Sequence, residues 1–343
     1  MSGVGLTASH RINNIDWLRL IFAAQVALLH AVSHLTDARI PVLGNFPGVP
    51  AFFFYSGFLI YGSYIKSPST WRYFLNRFLR LMPALICVTA GGAIVAIIAK
   101  GSAHLQENLG LYASWFVAQI TLGQAYNPAD FRSVGVGVIN GALWTITVEI
   151  LFYLAVPIIV IIERRLAWIT YALFIVSFAI YAGGETWLSV QLAGHSLYDF
   201  LALTPVVWGW MFAAGMLCFK HFARIAPYTD KLWICALPMV ALILLDESGP
   251  LFSSSSNHLG LLYFLAYVGF SLYIAFGIKA APPKNDLSYG VYVWHMVVIN
   301  ALLVVGYPSP VLALVLTFLF AGLSWRFVEK PALALKRYSL RSA

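Results

Sequence analysis

Long apolar runs separated by short polar turns occupy most of the chain from residue 15 onward. They lie near 15–35, 46–65, 79–99, 141–162, 166–182, 201–219, 232–246, 259–279, 288–306 and 309–328. Each approaches the roughly 20 apolar residues that a helix needs to cross a bilayer. An eleventh run, residues 109–122, is shorter and has polar flanks. Basic residues decide its placement, because Lys and Arg concentrate on the cytoplasmic side of membrane helices. With ten crossings and a cytoplasmic N-terminus, 17 of the 21 Lys and Arg residues fall inside, from Arg11 to Arg341. Counting 109–122 as a crossing puts the turn at Glu163, Arg164 and Arg165 outside and breaks that pattern. The expectation is an all-α integral membrane protein of about ten transmembrane helices with both termini cytoplasmic. Residues 109–122 then belong to an outer loop over about 100–140.

Composition agrees. The chain is 61% hydrophobic and only 10% charged, with a mean hydropathy of +0.81, whereas a soluble domain is about a quarter charged. The net charge of +8 reads as anchoring at the inner face, not as nucleic-acid binding. Cys87, Cys218 and Cys235 fall in apolar segments without metal-ligand spacing and read as packing thiols, so no metal site is expected. The first run has span length and leads straight into further spans, which predicts a retained helix, not a cleaved leader. Residues 1–343 are expected to form one transmembrane domain, with its core at about 13–335 and no attached soluble domain. No inverted repeat of the kind found in many secondary transporters is evident.

Against this apolar background the ionisable residues stand out, since a charged group inside a span costs about 2.5–3.5 kcal/mol on insertion scales. Asp16 and Arg19 lie at the inner end of the first span, three residues apart on one face, where they can pair or simply anchor the helix end. His30 lies in the same span, about 20 Å further along. Its near-neutral pKa suits it to take a proton from a hydroxyl and return it, although a lone His can also serve as a hydrogen-bonded packing residue. Glu149 lies about 12 Å and His30 about 8 Å from the outer ends of their spans. That similarity of depth predicts a carboxylate–imidazole pair in which Glu149 orients His30; packing against a backbone group or a Tyr hydroxyl is the plainer alternative.

Arg77 and Arg80, on one helical face near the inner side, suit a phosphate site, and equally suit simple positive-inside anchoring. Ser56, in the SGF stretch at 56–58, lacks a nucleophile-elbow context and reads as a small residue that permits close helix contact. Tyr289, Tyr292 and His295 follow an i, i+3, i+6 spacing and form a polar strip that either lines a cavity or joins helices. Two function classes fit these residues. One is a membrane enzyme with a buried base and a basic mouth. The other is a transporter or flippase of a lipid-linked sugar with His30 and Glu149 as a proton relay.

Taken in order, the motifs resemble the acyltransferase 3 family, bacterial multi-pass enzymes that O-acylate cell-surface sugars. They are D-x-L-R…H (Asp16, Arg19, His30), the SGFLI stretch, R-x-x-R-x-x-P (Arg77, Arg80, Pro83), and a stretch with Trp144, Glu149, Phe152 and Tyr153. A segment with Ser288, Tyr289, Tyr292 and His295 follows, and then F-x-E-K-P with Glu329 and Pro331. Family members often read GVDLFF where this chain reads GVPAFF at 48–53. The resemblance implies location in the bacterial inner membrane and an acyl-coenzyme A co-substrate, usually acetyl, with no permanently bound cofactor. It also implies a carbohydrate or lipid-linked glycan acceptor on the outer side. It carries the essential His onto His30 and the basic pair, assisted by Arg19, onto the coenzyme A phosphates. Whether His30 acts as a base or as a transient acyl carrier is left open by sequence.

Overall fold

The computed structural model describes residues 14–192, 195–255 and 257–339. Arg11 and Arg341, and with them both chain ends on which the cytoplasmic assignment rests, lie outside the described residues. Each of the ten long apolar runs contains a helix. These are α1 (Ile15–Leu35), α2 (Gly48–Lys66), α3 (Thr70–Lys100), α4 (Trp144–Glu163), α5 (Ile169–Trp187), α6 (Pro205–Lys220), α7 (Leu232–Leu245), α8 (Leu261–Leu272), α9 (Ser288–Val304) and α10 (Pro310–Ser324). Seven helical stretches are long and apolar enough to cross a membrane. An eighth is possible only as a bent pair, Phe222–Tyr228 and Leu232–Leu245, which meet at 86°. The α8 and α9 segments are shorter apolar helices. The run at 109–122 forms an 11-residue helix, Leu109–Gln119, that is not of spanning length. Two two-residue antiparallel ladders, Gln191–Leu192 with His195–Ser196 and Ser254–Ser255 with His258–Leu259, are the strands among the described residues.

Apolar side chains cover much of the outside. Ile158, Ile175, Val311 and Leu244 are all more than half exposed, an arrangement that water would penalise and acyl chains accept. The inside is organised around α9. Every residue from Ser288 to Asn300 is buried, so this helix has no solvent-facing stripe, and its polar side chains find their partners inside the protein. It packs against α1, α3 and α10. Asn300 fixes its far end by donating to the carbonyls of Val138 and Ile139 (2.9 Å each) and accepting from the Val136 N–H (2.8 Å). Asn14 fixes the start of α1 on the segment after α8, donating to the carbonyls of Ile274 (2.9 Å) and Ile278 (2.8 Å).

α2 and α6 approach each other closely. A Cβ on Gly57 would lie 2.0 Å from the Phe212 carbonyl oxygen, and one on Gly215 would lie 2.0 Å from that of Phe54. The small residue in the SGF stretch therefore admits a backbone, as expected of interhelical glycines in membranes. At the other end of these helices Glu163 gathers Lys220 (2.7 Å), the Tyr61 hydroxyl (2.6 Å) and the Thr170 hydroxyl. That cluster ties α2, α4, α5 and α6 together.

Candidate active site

Two cavities open toward opposite ends of the helices. The first, of about 300 Å³, is bordered by α1, α2, α3, α4 and α9. Arg19, Arg77, Arg80 and Lys336 line it, together with Glu149 and an apolar wall that includes Phe52, Leu59 and Ile60. Along α2 it runs from Val49 to Ile60, which is about 16 Å at 1.5 Å per residue. The second cavity, of about 960 Å³, is lined by His30, His34, Arg39, Asn45, Trp144 and Asn257 among others. The two share two lining residues, Val49 and Tyr292.

The cations of the smaller cavity are not equivalent. Asp286, just before α9, lies 2.6 Å from Arg80 and 3.2 Å from Arg19, and it accepts from the Ser288 hydroxyl at 2.6 Å. Burial by itself would raise the Asp286 carboxyl. The Arg19 and Arg80 guanidiniums and the Ser288 hydrogen bonds outweigh it and hold the pKa at about 2. Glu329 adds a second carboxylate 3.6 Å from Arg80. Arg77, by contrast, has no ion-pair partner among the described residues, and its buried Nε has no hydrogen-bond partner. Its guanidinium sits 5.7 Å from the centre of the Tyr153 ring. Two of the three arginines are thus held in place, and the third is free to take an anionic ligand. Asp16 is exposed and 3.7 Å from Arg19, a helix-end contact.

The expected pairing of His30 with Glu149 is not what the fold makes. His30 Nδ1 lies 2.9 Å from His295 Nε2, and His295 Nδ1 lies 2.6 Å from the Tyr292 carbonyl oxygen. Glu149 instead accepts from the Tyr153 hydroxyl one turn along its own helix and, at 3.5 Å, from Ser56. Thr145 meets Tyr292, so Glu149, one turn further along α4, lies on the Arg19 side of Tyr292, while His295 and its partner His30 lie a turn away on the other side. The expected common depth does not hold. Hydrogen-bond chemistry then sets the tautomers. A carbonyl oxygen only accepts, so His295 carries its proton on Nδ1 and presents a lone pair at Nε2. His30 must donate to that lone pair from Nδ1, which leaves the His30 Nε2 lone pair unprotonated. The arrangement yields an oriented base whose conjugate acid is supported by a buried imidazole, which is 1% exposed.

The remaining predicted residues divide between the two cavities. Tyr289 lines the smaller one, and its hydroxyl donates to the Leu81 carbonyl at 3.1 Å. The Tyr292 hydroxyl meets Thr145 Oγ1 at 2.8 Å. Trp144 lines the larger cavity and packs on Trp208, with ring centroids 5.4 Å apart. Asp286 and Lys336 went unnoticed as site residues. Asp286 sits in the polar linker AAPPKNDL and reads from sequence as a helix cap; Lys336 reads as one more inner-side anchor.

A family model described as an acyltransferase domain matches residues 12–328. The chain is a member of the acyltransferase 3 family. Over 96% of its length it is 30% identical to nodulation protein 10 of Rhizobium leguminosarum bv. viciae, covering 95% of that protein. It is 28% identical to the O-acetyl transferase of Shigella phage Sf6, over 94% of this chain and 96% of that one. It is also 26% identical to the peptidoglycan O-acetyltransferase OatA of Listeria monocytogenes, over 93% of this chain and 55% of OatA. No solved structure matches. With its apolar helices this makes the chain a multi-pass membrane acyltransferase.

Proposed function

We propose that this acyltransferase moves an acyl group, acetyl by preference, from cytoplasmic acyl-coenzyme A to a hydroxyl of an exported or cell-surface carbohydrate. In this reading the chain crosses the bacterial inner membrane ten times, counting α8, α9 and the bent pair, and keeps both ends inside. One observation carries the reading: a cationic cavity and a larger cavity holding an oriented imidazole approach each other from opposite ends of the bundle and share a wall.

Arg77, supported by Arg19, Arg80 and Lys336, supplies the positive charge that a coenzyme A phosphate requires. The apolar length along α2, about 16 Å, accommodates an extended pantetheine arm. Glu149 limits the excess of positive charge and offers an acceptor to a pantetheine amide. In the larger cavity His30 Nε2 takes the proton of the acceptor hydroxyl as its oxygen attacks the thioester carbonyl. The C–S bond then breaks, and the coenzyme A thiolate recovers that proton. Asn45, Asn257 and Trp144 provide the amide and aromatic surfaces on which a sugar is held.

The test is NMR of surface glycan from cells lacking the protein, complemented with wild type or with His30→Ala. O-acyl signals should return with wild type only, and the shifted sugar protons would name the acceptor. A glycan whose acylation never changes while its amount does would remove the transferase reading in favour of transport.

A further inference from the structure

In the reading above, thioester and acceptor react where the two cavities meet, and among the described residues only Val49 and Tyr292 line both. Both side chains are 6% exposed. Tyr292 is held in position on several sides. Its hydroxyl donates to Thr145 Oγ1 (2.8 Å), which in turn donates to the Ala142 carbonyl (3.0 Å). Its ring meets Phe52 edge-on at 5.6 Å, and its carbonyl accepts the His295 proton. Val49 stands in the first turn of α2, where the neighbouring Gly48 leaves no room to shift: a Cβ on Gly48 would lie 2.7 Å from the Phe22 carbonyl oxygen.

Building on the transferase reading above, we infer that Val49 and Tyr292 form a partition between donor and acceptor cavities that selects short acyl groups and keeps water from the thioester. The acyl carbonyl must reach this gap to meet a nucleophile from the His30 side, so the width of the gap limits the chain attached to it. The larger cavity is open and, at about 960 Å³, has room for many waters. A leaky partition would let one of them attack. Water oxygen would then bond to the acyl carbon, the C–S bond would break, and free carboxylic acid and coenzyme A thiol would leave with no acceptor acylated. The Tyr292 carbonyl also accepts from His295 Nδ1, so the same residue sets the gap and lies beside the base.

The experiment uses the full chain in lipid nanodiscs with acetyl- and butyryl-coenzyme A, and follows free coenzyme A by mass spectrometry without any glycan. Val49→Ala removes two methyl groups from the gap. It should raise the butyryl-to-acetyl turnover ratio about tenfold or more, the scale of a methylene in an apolar pocket, and raise acetyl-coenzyme A hydrolysis several-fold. Tyr292→Phe keeps the ring but frees it from Thr145, and should raise hydrolysis with little change in that ratio. Val49→Leu, a milder change than removal, should lower the ratio and so keeps the test open if Val49→Ala folds poorly. Wild-type ratio and wild-type hydrolysis in folded Val49→Ala and Tyr292→Phe would overturn the partition. If wild type releases no coenzyme A here and acylates no glycan in cells, the transferase reading falls and the partition with it.

Discussion

Replacing His295 separates a positioning role from a packing role. His295 is 1% exposed, and its Nε2 accepts from His30 Nδ1 at 2.9 Å. In His295→Leu the His30 Nδ1–H loses that acceptor. A hydrogen bond to a charged group contributes about 1.5–3 kcal/mol, and the His30 ring becomes cationic only as its Nε2 takes the proton of the acceptor hydroxyl. The loss therefore falls mainly on the transition state. At about 1.4 kcal/mol per tenfold change this predicts a kcat reduced by roughly 10- to 150-fold. His295 lines neither cavity, so the donor KM should stay within about twofold, as expected when an interaction present only in the transition state is removed. His295→Gln restores an acceptor oxygen and should recover much of the loss. The assay is acetyl transfer from labelled acetyl-coenzyme A to membrane glycan in vesicles. A folded His295→Leu protein with kcat within twofold of wild type would refute the relay. Failure of Gln to improve on Leu would also count against it.

Three further outcomes follow from the site. Arg77→Ala should raise the donor KM by tenfold or more, and more than Arg80→Ala does, because Arg80 is already engaged by Asp286 and Glu329; competition by coenzyme A in equilibrium binding checks the order. Asp286→Asn should destabilise the folded protein, since the depression from 3.8 to about 2 corresponds to roughly 2 kcal/mol. That contribution is fully present above pH 3.8 and disappears as pH falls through about 2, so thermal stability attributable to this contact should be flat between pH 5 and 8. Gly57→Ala places a methyl group into the Phe212 carbonyl and should cost about 1–3 kcal/mol of stability, read as a lowered Tm in detergent, while Gly269→Ala, with open space at its Cβ, should leave Tm unchanged.

Hydrophobic run length was enough to place a helix in each of the ten apolar runs, because in a bilayer the backbone must satisfy its own hydrogen bonds and apolar runs have few alternatives to a helix. It could not say which helices span by themselves. α7 is preceded by a helical segment turned through 86° from it, and α9 is short and buried along most of its length. The site was legible as a set of residues and illegible as a set of pairs. His30, Glu149 and His295 stand out as polar interruptions in apolar runs, and Arg77 as part of a basic motif just before one. Depth within one helix follows from residue count, but the register of α1, α4 and α9 against one another does not. That register sets Thr145 beside Tyr292, Glu149 a turn to one side of it and the His30–His295 pair a turn to the other. Asp286 was hidden for another reason: a carboxylate in a polar linker at a helix start has an ordinary local explanation, and nothing local announces the two arginines it meets from α1 and α3.

The central claim is that an acyl group passes from the Arg77 side to the His30 side of one protein. The direct measurement uses sealed membrane vesicles of defined orientation, with acyl-labelled acetyl-coenzyme A confined to the face that bears Arg77. Wild-type vesicles should accumulate label in glycan on the opposite face, His30→Ala vesicles should not, and both should bind the donor equally. Label that stays entirely in acetyl-coenzyme A with wild-type protein, or glycan labelled equally well by His30→Ala, would contradict the account.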